Sequence, residues 1–327
     1  MSATGSVVTM GETMALLDAP ASGRLGAGSA LPLGIGGAES NVAIGLARLD
    51  VDCAWISRLG DDALGSFVIR EIRAEGVRVL VRRDPDAPTG LMLKEHHDGR
   101  PWRVRYYRSG SAASQLSRAD VDAAAGAIVE ASVLHLTGIT AALGPGPLAA
   151  MEHATQIARD AGTLVSFDVN HRATLWPDHL AAPVLARLCA SADLVFAGPE
   201  EAALVLGGDE PAAAATFDEG EALARALAKR GPRTVVVKLG ALGAVAVSGD
   251  QVDRAPAHAI TVVDPVGAGD AFVAGYLSEV VVGGTLSQCL RMGNALGAAV
   301  CEVRGDWEGL PTRDELRRRT SASDVLR

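Results

Sequence analysis

The sequence predicts an α/β fold: a doubly wound, mostly parallel sheet flanked by helices, with a small β-sheet lid. Three observations lead there. Short β-branched runs alternate with longer alanine- and leucine-rich segments, the rhythm of parallel strands joined by crossover helices. Several of those runs are apolar throughout, as strands covered on both faces are. Two stretches, Met14–Leu33 and Thr89–Tyr107, are turn-rich or alternating instead, which sets a smaller antiparallel element apart.

The strands read along the chain are Val7–Met10, Val51–Ile56, Val133–Leu136, Thr163–Asp168, Leu194–Ala197 and Thr234–Leu239. Helices fill most of the gaps. One is expected over Ser117–Ile128, where Ser117-Arg118-Ala119-Asp120 has the form of a capping box, and another from Leu286 towards Val303, with apolar residues at helical spacing. A third opens at Val42 and runs to Leu49. In the lid, Val104 and Tyr106 alternate with Arg103, Arg105 and Tyr107 after a turn at Asp98-Gly99, the pattern of a hairpin. No repeat or low-complexity linker divides the chain, although residues 207–218 form an alanine-rich connection. One domain over residues 1–327 is therefore expected, its lid formed by 14–33 and 89–107.

Hydrophobic residues make up 48% of the 327, enough for a sizeable buried core, and the formal net charge of −9 speaks against nucleic acid or anionic lipid as a partner. Small molecules fit better. Cys53, Cys189, Cys289 and Cys301 are far apart and lack zinc-ligand spacing, so they read as reduced thiols. Met1–Met10 has no basic segment, and the charge-free stretch Ala131–Met151 is broken by glycine and proline, so neither a leader nor a membrane span is expected. A soluble cytoplasmic protein follows.

The segment Asp264-Pro265-Val266-Gly267-Ala268-Gly269-Asp270 leads into the apolar run Ala271–Tyr276. Gly267 and Gly269 let a backbone come close to an anion, and the first amides of a helix point outward with the positive end of its dipole behind them. Asp270 is unusual there. A carboxylate facing an arriving phosphoryl group repels it, unless it serves to accept a proton from an attacking hydroxyl. The plainer alternative is a helix N-cap, a position Asp favours. No G-x-x-x-x-G-K-[ST] motif occurs, and Phe272 stands where a dinucleotide fingerprint needs its third glycine. Near the N-terminus, Gly34-Ile35-Gly36-Gly37-Ala38-Glu39-Ser40-Asn41 is a second glycine-rich entry to a helix. There Asn41 can donate to and accept from a polyhydroxylated ligand.

Gly36-Gly37-Ala38 with Asn41, together with Asp264, Gly267-Ala268-Gly269-Asp270 and Ala271-Phe272, resembles the two signatures of the ribokinase-like (phosphofructokinase-B type) carbohydrate kinases. The likeness covers nearly the whole chain. Within that family Tyr106-Tyr107-Arg108-Ser109-Gly110-Ser111-Ala112, Asp168-Val169-Asn170-His171-Arg172 and Gly305-Asp306-Trp307-Glu308-Gly309-Leu310-Pro311 resemble segments of the 2-keto-3-deoxygluconate kinase branch.

The resemblance implies phosphoryl transfer from ATP with Mg²⁺ to a sugar acid. Asp270 would be the base, with Gly267, Ala268 and Gly269 forming the anion hole. Gly36, Gly37, Asn41, Tyr106, Arg108 and Arg172 would hold the sugar. Asn170, Arg172, Lys238, Gly240, Gly243 and Asn294 would hold the nucleotide, and Glu201 would reach the metal through water. It also admits a monovalent cation such as K⁺ and a homo-oligomer, at least a dimer. Physical chemistry agrees with an acidic sugar, because Arg108 and Arg172 can pair with a carboxylate. A neutral-sugar kinase and a catalytically silent sugar-acid sensor are the alternatives. Two departures stand out: Gly198 where the family's Asn-x-x-Glu helix opening has asparagine, and Met92 where related lids carry an aromatic residue.

Overall fold

The computed structural model describes residues 5–19, 25–97, 100–208 and 216–318. β1 (Val7–Met10), β2 (Met14–Asp18) and β3 (Leu33–Gly36) lead into α1 (Ala38–Arg48), followed by β4 (Cys53–Gly60), α2 (Ala63–Ala74) and β5 (Arg78–Asp84). The pair β6 (Leu91–His97) and β7 (Arg100–Tyr107) precedes α3 (Arg118–Glu130), β8 (Val133–Thr137), α4 (Gly138–Ala142), α5 (Pro145–Ala161) and β9 (Leu164–Asp168). The chain continues through α6 (Asp178–Ser191), β10 (Leu194–Ala197), α7 (Pro199–Leu206), α8 (Phe217–Ala228) and β11 (Thr234–Lys238). A hairpin, β12 (Gly243–Ser248) and β13 (Gln251–Pro256), comes before α9 (Ala268–Val280) and α10 (Leu286–Cys301).

The strands build a nine-stranded sheet in the order β13-β12-β11-β10-β9-β8-β1-β4-β5 and a separate four-stranded sheet in the order β3-β2-β6-β7. Strands β11 through β5 in the large sheet pair in parallel, and β12 and β13 pair antiparallel at one edge. Alternate residues of its central strands feed two cores. Val8, Met10, Leu134, Leu136, Val165 and Phe167 join the core beneath α3, α5, α6, α7 and α8. Val7, Trp55, Val133, Phe196 and Val236 join the core beneath α1, α2, α9 and α10. In the second core, Phe196 meets Tyr276 edge-on at 5.1 Å between ring centroids, which sets α9 against the sheet. Burial on both faces explains why these strands carry unbroken apolar runs.

The helix starts are chemically marked. Both the amide and the hydroxyl of Ser117 donate to Asp120, at 2.9 and 2.7 Å, so the expected box opens α3. Three strands of the large sheet, β5, β12 and β13, were not among those expected. β5 lies at the sheet edge and carries Arg78, Arg82 and Arg83, and β13 is the polar outer strand of a hairpin, so neither shows a buried strand's pattern. Bounds shift elsewhere: the strand expected from Val51 begins at Cys53 and runs on to Gly60, and the last helix stops at Cys301. α1 starts at Ala38 rather than Val42, because Gly37 is its N-cap, so Asn41 sits within the helix's first turn. Residues 14–33 and 89–107 do contribute to the small sheet, but β3 runs on to Gly36 and the sheet is mixed rather than antiparallel, since β2 and β6 pair in parallel. The expected turn at Asp98-Gly99, and most of the 207–218 connection, lie outside the described residues.

Candidate active site

Open parallel sheets present their ligand sites beyond the carboxyl ends of the strands. Here the loop from Asp264 into α9 lies in that region. Gly267 caps α9 with φ +79°, a left-handed conformation, and a Cβ there would lie 1.8 Å from the carbonyl oxygen of Asp306. The first intrahelical bond runs from the Ala271 amide to Gly267 at 2.8 Å, so the amides of Gly269 and Asp270 precede the helix ladder. Asp270 is the third helical residue and not the cap, which removes the plainer alternative. Its carboxylate accepts from Asn41 Nδ2 at 2.9 Å, with Asn170 Nδ2 at 3.5 Å on the other oxygen. Burial pushes its pKa up to about 6, against the pull of the Asn41 hydrogen bond and of Arg172.

Asn170 follows the end of β9 and has φ +38°, which among residues with a side chain Asn tolerates best. The loop is tied down by Glu201, which accepts the His171 amide at 2.9 Å and the Gly198 amide at 2.6 Å. Glu201 thus supplies the N3 half of a capping box on α7 by accepting the Gly198 amide, while glycine has no side chain for the other half that an asparagine would make. Both Glu201 oxygens are engaged. At the end of β11, Lys238 Nζ lies 2.8 Å from each oxygen of Asp168. Burial alone would lower the lysine's pKa, but Asp168, Glu201 and Asp270 outweigh it and hold the ammonium charged. α1 is anchored from below, where the buried Glu39 accepts from Thr137 and Thr140 at 2.7 and 2.6 Å.

Three hollows meet at this loop. A cleft of about 800 Å³ is lined by Asn170, Arg172, Glu201, Lys238, Gly267, Gly269 and Asp270, with Val104 and Tyr106 of the small sheet on its opposite wall. A chamber of about 100 Å³ shares Tyr106, Arg172, Gly267 and Asp270 with the cleft and adds Gly36, Gly37, Asn41, Met92, Arg108, Glu12 and Asp306. A mostly apolar hollow of about 460 Å³ shares Lys238, Pro265 and Gly269 with the cleft and adds Gly240, Gly243, His258, Ala268, Phe272 and Asn294. Every residue expected from the sequence to hold a ligand or act on one therefore lines one of three connected spaces.

The two arginines of the chamber are not equivalent. Arg108 is salt-bridged to the buried Glu12, its Nε 2.6 Å from Oε2, while Ser111 donates to the other oxygen at 2.5 Å. The Arg172 guanidinium is exposed, with no hydrogen-bond or salt-bridge partner among the described residues. Asn294 donates to the carbonyls of Ala255 and Pro256 at 3.0 and 3.1 Å and so fixes the hairpin end that walls the apolar hollow. Sequence reasoning missed Glu12, Lys94 and Asp306 as site residues. Asp306 was quoted for its likeness alone. For Lys94 the signal available was its place two residues after Met92 on an alternating strand.

The description "pfkB family carbohydrate kinase" matches residues 4–313. A 2-dehydro-3-deoxygluconokinase of Bacillus subtilis is 38% identical, over 94% of this chain and 93% of that protein. A 2-dehydro-3-deoxygalactonokinase of Haloferax volcanii is 34% identical, over 98% of each. Among solved structures, a candidate ribokinase II from Escherichia coli in complex with ATP and Mg²⁺ superposes with a TM-score of 0.85, covering 97% of this chain and 99% of that one. At 23% identity that last likeness bears on the fold alone.

The hydrogen bond from Asn41 restrains the pKa of Asp270, so Asn41→Ala is expected to raise it above its value of about 6. Carboxyl ¹³C shifts followed against pH in aspartate-labelled protein measure this directly. A variant titrating at or below the parent value would show that Asn41 does not act on the carboxylate.

Proposed function

The chain belongs to the pfkB family of carbohydrate kinases, and on that premise we propose that it phosphorylates 2-dehydro-3-deoxygluconate (2-keto-3-deoxygluconate) at its terminal primary hydroxyl, giving the 6-phosphate, with MgATP as donor. One observation carries this reading. Asp270 and Gly269 stand where a small chamber lined by Asn41, Arg108 and Arg172, a cleft and an apolar hollow adjoin, which suits a sugar, a phosphate chain and a base laid end to end. The name of the Bacillus subtilis relative supports the sugar acid.

Asp270 takes the proton of the attacking hydroxyl; with a pKa of about 6 it is mostly ionised at neutral pH and still basic enough to accept it. The amides ahead of the α9 ladder face the moving phosphoryl group with the helix dipole behind them. Lys238, its charge met by Asp168, places an ammonium donor on the β11 side of the cleft. Asn170, Gly240, Gly243 and Asn294 shape the nucleotide's path. MgATP supplies the phosphoryl group and a neutralising divalent charge.

Among the described residues no group of three His, Cys, Asp or Glu side chains could hold a metal. The Mg²⁺ would therefore be held chiefly by the nucleotide's own oxygens and water, with Glu201 the candidate to orient one such water.

The free fork of Arg172 is the feature that favours an acid over a neutral sugar. Arg108, its charge placed on Glu12, orients the chamber's wall more than it supplies net charge. The intact Asp270 argues against a silent sensor. The small sheet acts as the lid over the sugar, with Met14, Met92, Tyr106 and Arg108 on its inner side. On its other side Leu33 and Tyr107 are 42% and 59% exposed, and with Leu17 and Leu93 they form an apolar face that a second copy of the chain would cover, making the protein at least a dimer. Cytoplasmic placement is part of the same proposal, and the four unpaired cysteines support it.

Asp270→Asn is expected to lower kcat by roughly 100- to 10,000-fold with ATP affinity nearly unchanged. In the parent, kcat/KM should fall as pH drops below about 6, because protonation of the carboxyl removes the base. Near-parental turnover by the Asn variant would take the base role from Asp270. Arg172→Ala should reduce kcat/KM for the sugar acid by about ten- to a hundredfold and for fructose far less; an equal loss on both would refute the carboxylate contact. Leu93→Asp should convert dimer to monomer in light scattering, and a parent already monomeric at micromolar concentration would exclude the dimer.

A further inference from the structure

Lys94, on β6 of the small sheet, has a side chain only 3% exposed, and lysines are almost never so buried without a partner. Its ammonium lies 2.6 Å from Asp264 Oδ2 and 3.5 Å from Asp306 Oδ1. Both carboxylates belong to the wall behind the α9 loop. Asp264 is fully buried; its Oδ1 accepts the Val266 amide at 3.1 Å and its Oδ2 lies 3.4 Å from the Gly305 amide. Asp306 presses its carbonyl oxygen on Gly267, and its carboxylate lines the sugar chamber. Lys94 itself lines none of the three hollows, so whatever it does, it does through these neighbours.

We propose that Lys94 is a positioning residue for phosphoryl transfer: by bridging Asp264 and Asp306 it fastens the small sheet to the α9 loop, so that the loop takes its working shape with the sheet seated over the sugar. The proposal rests on the reading of that loop as the site of transfer. Its physics is electrostatic. Burial alone would lower the ammonium's pKa, and Asp306 and Asp264 outweigh it, so the group stays charged where it is. Raising the sheet would separate the ammonium from both carboxylates and leave two like charges facing each other behind the loop. Val266 and Gly267, held by those same aspartates, would then lose their support together. The order of events follows: a sugar that seats the sheet also sets the amides that receive the phosphoryl group, and without it both relax, which limits transfer to water.

The test uses the full chain with Lys94→Met, which keeps length and removes charge, and Lys94→Ala, which opens space for an added amine. Both are assayed for sugar-acid phosphorylation, for ATP hydrolysis without sugar, and for folding by circular dichroism. The expected result is a fall in kcat of about ten- to a hundredfold with the KM for ATP little changed. Ethylammonium is expected to restore Lys94→Ala by roughly tenfold and to leave Lys94→Met unaffected. A merely structural lysine would lower the melting temperature without changing kcat of the folded protein or making it amine-dependent. Folded Lys94→Met within about threefold of the parent overturns the proposal, and so does Lys94→Ala that ethylammonium leaves unchanged. Should the Met variant fail to fold, Lys94→Ala purified in ethylammonium and then dialysed free of it decides. A parent inactive on every sugar would overturn the transfer reading as well, and that is seen before any variant is made.

Discussion

The structure is organised around one costly arrangement, a carboxylate buried at the start of a helix whose amides face the same space. Asp270 is 9% exposed and keeps its charge near neutral pH against burial with the help of Asn41 and the nearby cations. A buried charge is tolerated where its partners are held in place, and here they come from three separate parts of the chain. Asn41 rides on the first turn of α1, Asn170 on a left-handed turn after β9, and Lys238 on the end of β11. The packing of α1 and α9 on the large sheet, through the core that includes Phe196 and Tyr276, is therefore part of the chemistry.

Three charge pairs brace the site among the described residues. Glu12 is matched by Arg108, Asp168 by Lys238, and Asp264 and Asp306 by Lys94. Each pair joins elements distant in sequence, so each also fixes geometry, as buried pairs with good contacts can. Arg172, on the loop after β9, stands outside this pattern. Its guanidinium makes no hydrogen bond among the described residues and acts on Asp270 through its charge alone, so its donors are open to the chamber.

The small sheet contributes by position more than by bulk. It brings Met92, Val104, Tyr106 and Arg108 over residues of the large sheet's carboxyl edge without pairing with any of its strands. The two sheets are joined by side chains and loops instead, and the Lys94 contacts with Asp264 and Asp306 tie the small sheet to the α9 loop.

The sequence by itself determined the doubly wound sheet, because strands buried on both faces must be apolar throughout and glycines must stand where the backbone meets a ligand. Gly36-Gly37 with Asn41, and Gly267 to Asp270, could be located from local pattern because their chemistry is local: helix starts, free amides, a carboxylate in an odd place. The edge strands β5 and β13 were illegible, since an edge strand with one covered side carries polar residues that read as loop. The partners of charged side chains were equally hidden. Arg108 and Arg172 looked alike in sequence, and tertiary packing alone decided that one is spoken for by Glu12 and the other is not. Lys94 looked like an ordinary polar residue on a strand, and its burial between aspartates 170 and 212 positions away could be decided only by folding, because pairing across such separations leaves no periodicity to read.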